Sequence, residues 1–407
     1  MDLEVKPYTE QPFRFSGKAL EFFGIWIVNI ALTIVTLGIY SAWAKVRTHR
    51  YFYGNTQLDD SAFQYLAKPE QILKGRIFAS ILFGIYYAIN SYNGVWGLYA
   101  AAAVTVLVPA IIVLSMSFRL RHTAYRGITF RFERNFKQAY LFYGLPVFLF
   151  LALLVSSIYF SVPSEVWEYS EVPISEEMPA DETTEIPAVG EEAKIDIEEE
   201  FNMPWGLAAL FPLFILGFPF WQYLKAIFLV NNARYGTSPF SYGAGAKSFY
   251  LMYLKASGVF ILAISIVLWT LSQLDLMNFT SEETAPSFSN LILIQLVFFT
   301  VYLWIFAYLQ TKRQNLIFNH TQIEEMTFSS TLSVSYMLYL YLSNTIAIIC
   351  SLGLLIPWSM IRTARYRASQ LTLLTNQSLD NFVADQQNQL TAMGEEFGEV
   401  FDIEVGI

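Results

Sequence analysis

The sequence has very little cysteine and very little charge. One cysteine in 407 residues excludes a disulfide framework, and we expect Cys350, inside a long apolar stretch, to be a buried and unreactive thiol. Charged residues make up 14% of the chain, against roughly 25% in a typical soluble protein. Hydrophobic residues make up 55%. This composition indicates a polytopic membrane protein.

Sequence patterns of enzyme active sites are also missing. The chain has no GxSxG, no HExxH, no phosphate-binding loop ending in Gly-Lys-Ser/Thr, and no GxGxxG between a strand and a helix. The histidines His49, His122 and His320 have no acid or cysteine at the spacing of a metal site, so we expect them to bind backbone or lipid headgroups. We therefore predict a protein without enzymatic activity, metal or cofactor.

Acidic residues are concentrated in two segments. Between Glu165 and Glu200 there are fourteen acids and one lysine, and seven acids with no base follow from Asp380 to the end. Low hydrophobicity and high charge are typical of extended, solvated chain. We expect residues 162–203 to form a flexible external loop and residues 380–407 to form an acidic C-terminal tail.

Long apolar stretches alternate with basic connections. About 20 residues suffice to cross a bilayer as a helix. Eight stretches qualify or come close, at residues 19–43, 76–91, 95–117, 139–161, 204–224, 250–272, 289–309 and 332–358. The six between 76 and 309 hold almost no ionisable residue apart from Lys255, which disfavours a transporter coupled to protons or sodium.

The basic connections predict the orientation. Lysine and arginine concentrate in residues 44–76, 118–138, 225–249 and 311–331, which the positive-inside rule assigns to the cytoplasm. If all eight stretches crossed, the basic ends of the first and last would lie on opposite sides, as in an inverted repeat. We favour six full spans, two re-entrant or half-spanning stretches and both termini in the cytoplasm.

A motif occurs twice, 315 residues apart. Residues 29–51, NIALTIVTLGIYSAWAKVRTHRY, align without a gap with residues 344–366, NTIAIICSLGLLIPWSMIRTARY. Each copy is an apolar run that we expect to break near a glycine, followed by a tryptophan and two arginines on one helical face. The matched structural positions are Asn29, Gly38, Trp43 and Tyr51 in the first copy and Asn344, Gly353, Trp358 and Tyr366 in the second.

A weaker repeat divides the chain into five units of short strand, membrane hairpin and basic exit. Aromatic pairs such as Phe13 with Phe15 and Phe63 with Tyr65 precede the membrane stretches, and Thr/Asn/Gly-rich exits follow them. This spacing predicts short cytoplasmic β-hairpins. Within a single polytopic domain, residues 1–407, the units run over about 13–56, 63–129, 130–238, 240–321 and 328–376.

The string TLGIYSAWAKVRTHRYFYGNTQLD, residues 36–59, resembles the YjgN family of bacterial inner-membrane proteins, a domain of unknown function. The later strings NARYG and FSYGAGAKSFY carry the same resemblance, which covers the chain from Phe13 to about Asn376. In the second motif LGLLIPW replaces LGIYSAW, and the acidic loop is longer than the family needs. The resemblance implies the inner membrane and no activity that can be assigned to residues.

Arginines are the best candidates for a binding site. Their planar guanidinium can hold a phosphate or carboxylate through two hydrogen bonds, whereas the simpler interpretation is anchoring to anionic lipid at the membrane boundary. Candidate contacts for an anion or a lipid headgroup are Arg47, Arg50, Arg121, Arg126, Arg234, Arg313, Arg362 and Arg365.

Together these patterns predict an all-α polytopic inner-membrane protein with short cytoplasmic β-hairpins. We expect it to bind membrane lipids, mainly anionic, and an external protein at the acidic loop, but no nucleic acid. The function we favour is an uncoupled conduit or carrier for a lipid, an amphiphile or a small anionic solute. The alternative is a non-enzymatic membrane organiser or scaffold. Polar side chains around a central cavity would favour the first, and a solidly apolar core the second.

Overall fold

The computed structural model describes residues 8–144, 146–147, 205–273 and 288–402. The chain divides into two compact units, one within Met1–Phe142 and Pro219–Ile407 and the other within Tyr143–Phe218. The predicted span 139–161 lies mostly outside the described residues, and the acidic loop 162–203 lies wholly outside them. The first unit contains the ten strands of the described residues and both copies of the repeated motif.

Short strands and longer helices alternate along the described chain. The strands are β1 (Thr9–Phe15), β2 (Thr56–Leu58), β3 (Ser61–Tyr65), β4 (Thr123–Tyr125), β5 (Ile128–Phe132), β6 (Ala233–Tyr235), β7 (Ser238–Tyr242), β8 (Thr321–Ile323), β9 (Met326–Ser330) and β10 (Leu371–Thr375). The helices are α1 (Ala19–Val35), α2 (Ser41–Gly54), α3 (Pro69–Tyr92), α4 (Gly94–Arg121), α5 (Phe136–Ala139), α6 (Trp205–Asn231), α7 (Ala246–Gln273), α8 (Phe288–Asn319), α9 (Val334–Cys350), α10 (Ile356–Ser369) and α11 (Leu379–Asp402). A π-helical turn, Tyr140–Gly144, follows α5.

The ten strands form one closed antiparallel barrel. Each strand pairs with its neighbours in sequence, and β1 closes the barrel by pairing with both β2 and β10. Two-residue turns join β2 to β3, β4 to β5, β6 to β7 and β8 to β9. Each turn holds a residue with positive φ, as tight hairpins require; these are Asp59, Arg126, Gly236 and Glu324. Closure leaves the sheet without a free edge.

The prediction of an all-α fold is therefore wrong. The short antiparallel hairpins expected from the sequence are present, but they join into a closed barrel. The aromatic and turn patterns of the sequence predict pairing within each hairpin. The pairs that join successive hairpins, such as β3 with β4, leave no such pattern. The pairing of Thr9 with Thr375 joins residues from opposite ends of the chain, so no local sequence pattern predicts it.

The predicted number of spans also needs correction. Among the described residues, four helices are long and apolar enough to cross a membrane: Pro69–Tyr92, Tyr99–Arg121, Phe214–Asn231 and Ala246–Thr270. The first and last apolar stretches contain only shorter apolar helices, α1 and α9, of 17 residues each.

The barrel interior is filled by a ring of apolar side chains. Directly opposed residues in an antiparallel pair point to the same face of the sheet. Five such pairs belong to or pack against one core cluster; they are Phe13 with Leu58, Phe63 with Tyr125, Phe130 with Tyr235, Phe240 with Ile323, and Phe328 with Leu373. Successive phenylalanine rings from Phe13 to Phe328 lie 6.1, 6.5, 6.3 and 6.4 Å apart. The core of the barrel is thus solidly apolar. We call these ten residues the barrel ring.

Two tyrosines of the barrel ring satisfy their hydroxyl groups on neighbouring backbone. Tyr235 OH donates to the carbonyl of Tyr125 at 3.1 Å, and Tyr125 OH donates to the carbonyl of Leu58 at 2.7 Å. Burial raises the pKa of Tyr125 to about 12, so its hydroxyl stays protonated at physiological pH. The ring therefore carries no charge of its own.

Closure of the barrel predicts a specific cross-link. In a Cys350→Ser background, Glu10→Cys combined with Leu374→Cys should form an intramolecular disulfide on mild oxidation, because these residues are direct partners across β1 and β10. Intact mass and peptide mapping measure the product. The control pairs Glu10→Cys with Thr327→Cys, since Thr327 lies opposite Leu374 one strand further round. A disulfide in the control pair alone, or in neither pair, would contradict closure.

Candidate functional site

Both copies of the motif form a helical hairpin with the same turn. The first hairpin consists of α1 and α2, and the second of α9 and α10. Gly38 and Gly353 have φ of 92° and 91°, in the left-handed region that favours glycine. Their amides donate to the carbonyls of Thr33 at 2.7 Å and Ile348 at 2.8 Å. The predicted break near the two glycines is confirmed, and re-entry into the membrane stays a prediction.

Cys350 lies at the end of α9, just before this turn, and it is exposed. The expectation of a buried thiol is wrong, because the apolar stretch around it ends in a hairpin tip. The neighbouring Leu352 is likewise almost fully exposed, at 95%. Side chains at such a tip face outward from the hairpin, so their apolar character does not indicate burial inside the protein.

In each hairpin the first arginine of the motif binds the buried asparagine. Arg47 Nη1 donates to Asn29 Oδ1 at 3.4 Å, and Arg362 Nη1 donates to Asn344 Oδ1 at 3.3 Å. The two asparagines are 5% and 6% exposed. Because a buried amide group needs a hydrogen-bond partner, this contact holds the arginine against its own hairpin.

The motif tyrosines connect the end of each hairpin to its beginning. Tyr51 OH accepts from the amide of Lys18 at 2.8 Å, and Tyr366 OH accepts from the amide of Ser333 at 3.0 Å. Lys18 and Ser333 directly precede α1 and α9. The tyrosines therefore have a structural role at the first turn of each hairpin.

Arg362 is held between two aromatic rings. Its guanidinium carbon lies 5.1 Å from the ring centroid of Tyr339 and 5.1 Å from that of Trp358. Nη1 also donates to Ser343 Oγ at 2.7 Å. In the described part of the chain, every hydrogen bond from this side chain uses Nη1. The aromatic rings thus fix the plane of the guanidinium, while Nε and Nη2 keep donors for another acceptor.

A cavity of about 470 Å³ lies beside this arginine. We call it the hairpin cavity, and its lining residues are Ala19, Tyr336, Trp358, Ile361, Arg362, Arg365, Tyr366 and Ser369. Arg365 Nη2 donates to the carbonyl of Gly17 at 3.0 Å, so the start of α1 forms one side. Two guanidinium groups and three aromatic rings line the cavity, and no carboxylate is among these residues.

The corresponding arginines of the first hairpin lie outside this cavity. Arg47 Nη1 also donates to Tyr40 OH at 3.1 Å, and Trp43 packs against the same tyrosine ring at 6.1 Å. Arg50 Nη2 donates to the carbonyl of Ala67 at 3.2 Å, which is the counterpart of the Arg365 contact. The first hairpin therefore repeats the arginine–asparagine contact of the second, but Arg47 binds a tyrosine hydroxyl where Arg362 lies over the rings of Trp358 and Tyr339.

The remaining predicted arginines are dispersed. Arg126 forms ion pairs with two aspartates at the turn end of the barrel, and Arg234 forms one with Glu133, directly after β5. Arg313 donates to a glutamine on its own helix at 3.4 Å, and Arg121 is exposed at the end of α4. The structure brings Arg362 and Arg365 together and does not assemble all eight arginines into one site.

Two of the three histidines end helices. A ring nitrogen of His122 lies 2.7 Å from the carbonyl four residues earlier, and the same contact in His320 is 3.0 Å. Asn55 and Asn232 make the equivalent contact at 2.8 Å in their helices. The expected backbone contacts are therefore confirmed for these two histidines. His49 packs 4.9 Å from a tyrosine ring, and burial, with nearby lysine and arginine, lowers its pKa.

Sequence reasoning missed the contribution of α9, which lines the cavity with Tyr336 and contacts Arg362 with Tyr339 and Ser343. Tyr336, Tyr339 and Ser343 follow the spacing i, i+3, i+7, which places them on one helical face. This spacing could have predicted a shared helical face, because Ser343 directly precedes the motif asparagine. The contribution of Ala19 had no such signal, since it depends on the closure of the barrel.

Fold and site together define a class: a helical membrane protein built on a closed barrel, with an arginine-lined cavity between the second hairpin and the start of α1. The chain belongs to the family described as bacterial protein of unknown function (DUF898), which matches residues 10–400. With the curated relatives named next, this match confirms the predicted resemblance to YjgN-like proteins.

Curated relatives are named inner membrane protein YjgN. Those from Salmonella typhimurium and Escherichia coli are each 30% identical to this chain over 148 residues. The match covers 35% of this chain and 36% of each relative, so the chain spans about a third of their length. No solved structure matches. The relatives' name and the four apolar helices support a location in the bacterial inner membrane.

The hairpin turn yields a stability prediction. Gly353→Ala should lower the free energy of unfolding by about 1–2 kcal/mol, because an L side chain is strained at a φ of 91°. Thermal unfolding in detergent measures the effect. Gly24→Ala is the control: it lies inside α1 with open space around it, and it should be neutral or slightly stabilising. Equal effects of the two changes would contradict the proposed strain.

Proposed function

We propose that this chain is a multi-pass protein of the bacterial inner membrane that binds an anionic amphiphile and acts as its uncoupled carrier. The headgroup occupies the hairpin cavity, where Arg362 and Arg365 hold it. The observation that carries the proposal is the arrangement of Arg362, whose guanidinium lies between Tyr339 and Trp358 beside a cavity of about 470 Å³. The proposed carrier role depends on this binding site.

The cavity chemistry favours a negative ligand. Two guanidinium groups without a carboxylate among the lining residues create a local excess of positive charge. A phosphate or carboxylate can take charge-assisted hydrogen bonds from Nε and Nη2 of Arg362, in the planar geometry that lysine does not offer. Fixing the guanidinium in advance lowers the entropy lost when the ligand binds.

The surroundings favour an amphiphile over a small solute. Leu20, on the α1 turn beside Ala19, is 84% exposed, and Tyr339 and Trp358 are 56% and 37% exposed. This apolar surface next to the cavity suits an acyl chain. The barrel ring, by contrast, is solidly apolar and offers no polar path for a hydrated anion.

The barrel also supports the predicted orientation. All four strongly basic connections contribute strands to it, and β1 and β10 belong to the same barrel. This arrangement supports both termini lying on the cytoplasmic side. A helix of 17 residues is about 25 Å long, shorter than a hydrocarbon core of about 30 Å. That length supports half-spanning or re-entrant hairpins.

Equivalent hydrogen bonds support the five-unit internal repeat. One backbone bond of 2.8–3.0 Å recurs at the same position of each predicted unit. It runs from Ser16 to Asn55, from Leu66 to His122, from Glu133 to Asn232, from Gly243 to His320, and from Thr331 to Gln370. The two hairpins, with their matched bonds at an offset of 315, are the first and fifth of these units.

The alternative function is a membrane organiser that binds anionic lipid without moving it. The specific observation in its favour is the apolar barrel core, because a protein without a polar path needs no transport role to explain its fold. In that case the external acidic loop 162–203 provides the contact with a protein partner. This contact stays a prediction.

Paired arginine variants test the ligand. Arg362→Lys with Arg365→Lys should reduce co-purified anionic phospholipid at least tenfold, measured by native mass spectrometry, because lysine lacks the planar fork. The matched control is Arg47→Lys with Arg50→Lys, which changes the same motif positions outside the cavity. An unchanged lipid profile in the first variant, or equal losses in both, would reject the hairpin cavity as the binding site.

A second measurement separates carrier from organiser. Proteoliposomes with a fluorescent anionic phospholipid report its movement between leaflets through quenching from outside. A carrier should accelerate this movement, and the double variant of Arg362 and Arg365 should lose most of the acceleration. Lipid binding without any movement would favour the organiser.

A further inference from the structure

The C-terminal helix α11 packs across the turn end of the barrel. Its side chains Leu379, Phe382 and Val383 are 5%, 5% and 7% exposed and belong to the same core cluster as the barrel ring. The ring of Phe382 lies 5.8 Å from that of Tyr235 in a stacked arrangement. The apolar face of α11 therefore completes the core at the end of the barrel remote from the helical hairpins.

A buried glutamine fastens the helix to one barrel turn. Gln386, 1% exposed, donates through Nε2 to Ser238 Oγ at 2.7 Å. Its Oε1 accepts from the amide and the hydroxyl of Thr237, each at 2.9 Å. A Cβ at Gly236 would lie 2.7 Å from this oxygen, so the turn is shaped to admit the side chain.

An ion-pair network fastens the helix to two more turns. Arg126, between β4 and β5, donates through Nη1 to Asp380 at 2.6 Å and through Nη2 to Asp59 at 2.7 Å. The Arg126 side chain is 15% exposed, whereas that of Asp380 is 81% exposed. A pair with one solvated member contributes little to stability and weakens with salt. This ion-pair network therefore fixes the position of α11 but contributes little to the stability of its contact with the barrel.

The opposite face of α11 is open. Asn381, Ala384, Asp385, Gln387 and Asn388 are exposed, and among the described residues no element packs over them. An amphipathic helix seated in an apolar groove through one face and a few polar contacts is a common removable arrangement. Release of α11 would leave the strand pairs of the barrel unchanged, because all ten strands pair with one another and not with α11.

We propose that α11 is a detachable plug of the barrel. Seated, it seals the turn end and keeps solvent from the barrel ring. Released, it exposes the barrel ring to solvent at that end while the ten strands stay paired. This role of α11 is independent of the amphiphile bound in the hairpin cavity, so either proposal can be rejected without the other.

Hydrogen–deuterium exchange on the full chain tests the plug. The amides of α11 should exchange at least tenfold faster than those of β5 and β9, because the helix leaves as a unit while the strands stay paired. Asp380→Asn removes only the ion pair that reaches the helix and leaves Arg126 bound to Asp59. It should accelerate exchange in α11 severalfold further without changing the strands. Arg14→Gln, which removes an exposed ion pair with Asp60 away from α11, is the control and should change neither.

A single-cysteine experiment tests whether the plug seals the barrel. Met326 is 1% exposed and lies in the core cluster with Phe382. In a Cys350→Ser background, Met326→Cys should react slowly with a small water-soluble maleimide, and Asp380→Asn should raise the rate in parallel with α11 exchange. Exchange of α11 only together with the strands would overturn the proposal, since the helix would then be a fixed part of the core. A labelling rate that stays constant while α11 exchange accelerates would overturn the proposal as well.

Discussion

The rest of the structure depends on the pairing of the first strand with the last. Every other strand pair joins strands that are neighbours in sequence. Strands β1 and β10 come from opposite ends of the chain and pair only when all ten strands are in place. Without this pair the barrel is an open sheet with two exposed edges. With it, the start of α1 lies beside α10, so that Arg365 can bind the carbonyl of Gly17. The hairpin cavity is therefore a product of barrel closure, because Ala19 and the α10 arginines come from opposite ends of the chain.

The short strands gain their stability from the barrel ring. Strands of three to five residues do not form an independently stable hairpin in water. Five phenylalanines alternating with leucine, isoleucine and tyrosine give each strand pair an apolar contact with the next, and α11 covers the ring at the turn end. The same packing explains why the core contains no polar path. It follows that ligand recognition lies at the edge of the helical hairpins and not along the barrel axis.

Local features of the sequence could be predicted, and contacts between distant segments could not. The matched residues Asn29 and Asn344 indicated equivalent hairpins, and the glycine break needed only knowledge of backbone conformation. Trp358 and Arg362 lie four residues apart in one motif, so their contact follows from helical spacing. Tyr339 comes from the preceding helix, where its spacing with Tyr336 and Ser343 is the signal. Ala19 comes from the other end of the chain and carries no signal in its own neighbourhood. For the same reason the sequence of α11, which we interpreted as an acidic tail, gave no indication that this helix packs against the barrel.

A cryo-EM map of the protein in nanodiscs that contain anionic phospholipid tests the central claim most directly. The account predicts a closed ring of ten strands with β1 paired to β10, and headgroup density within hydrogen-bond distance of Arg362 and Arg365 beside Gly17. An open sheet, in which α1 and α10 lie apart, would contradict the dependence of the site on closure. A closed barrel with an empty hairpin cavity, and lipid density bound equally at Arg47, would contradict the assignment of the site.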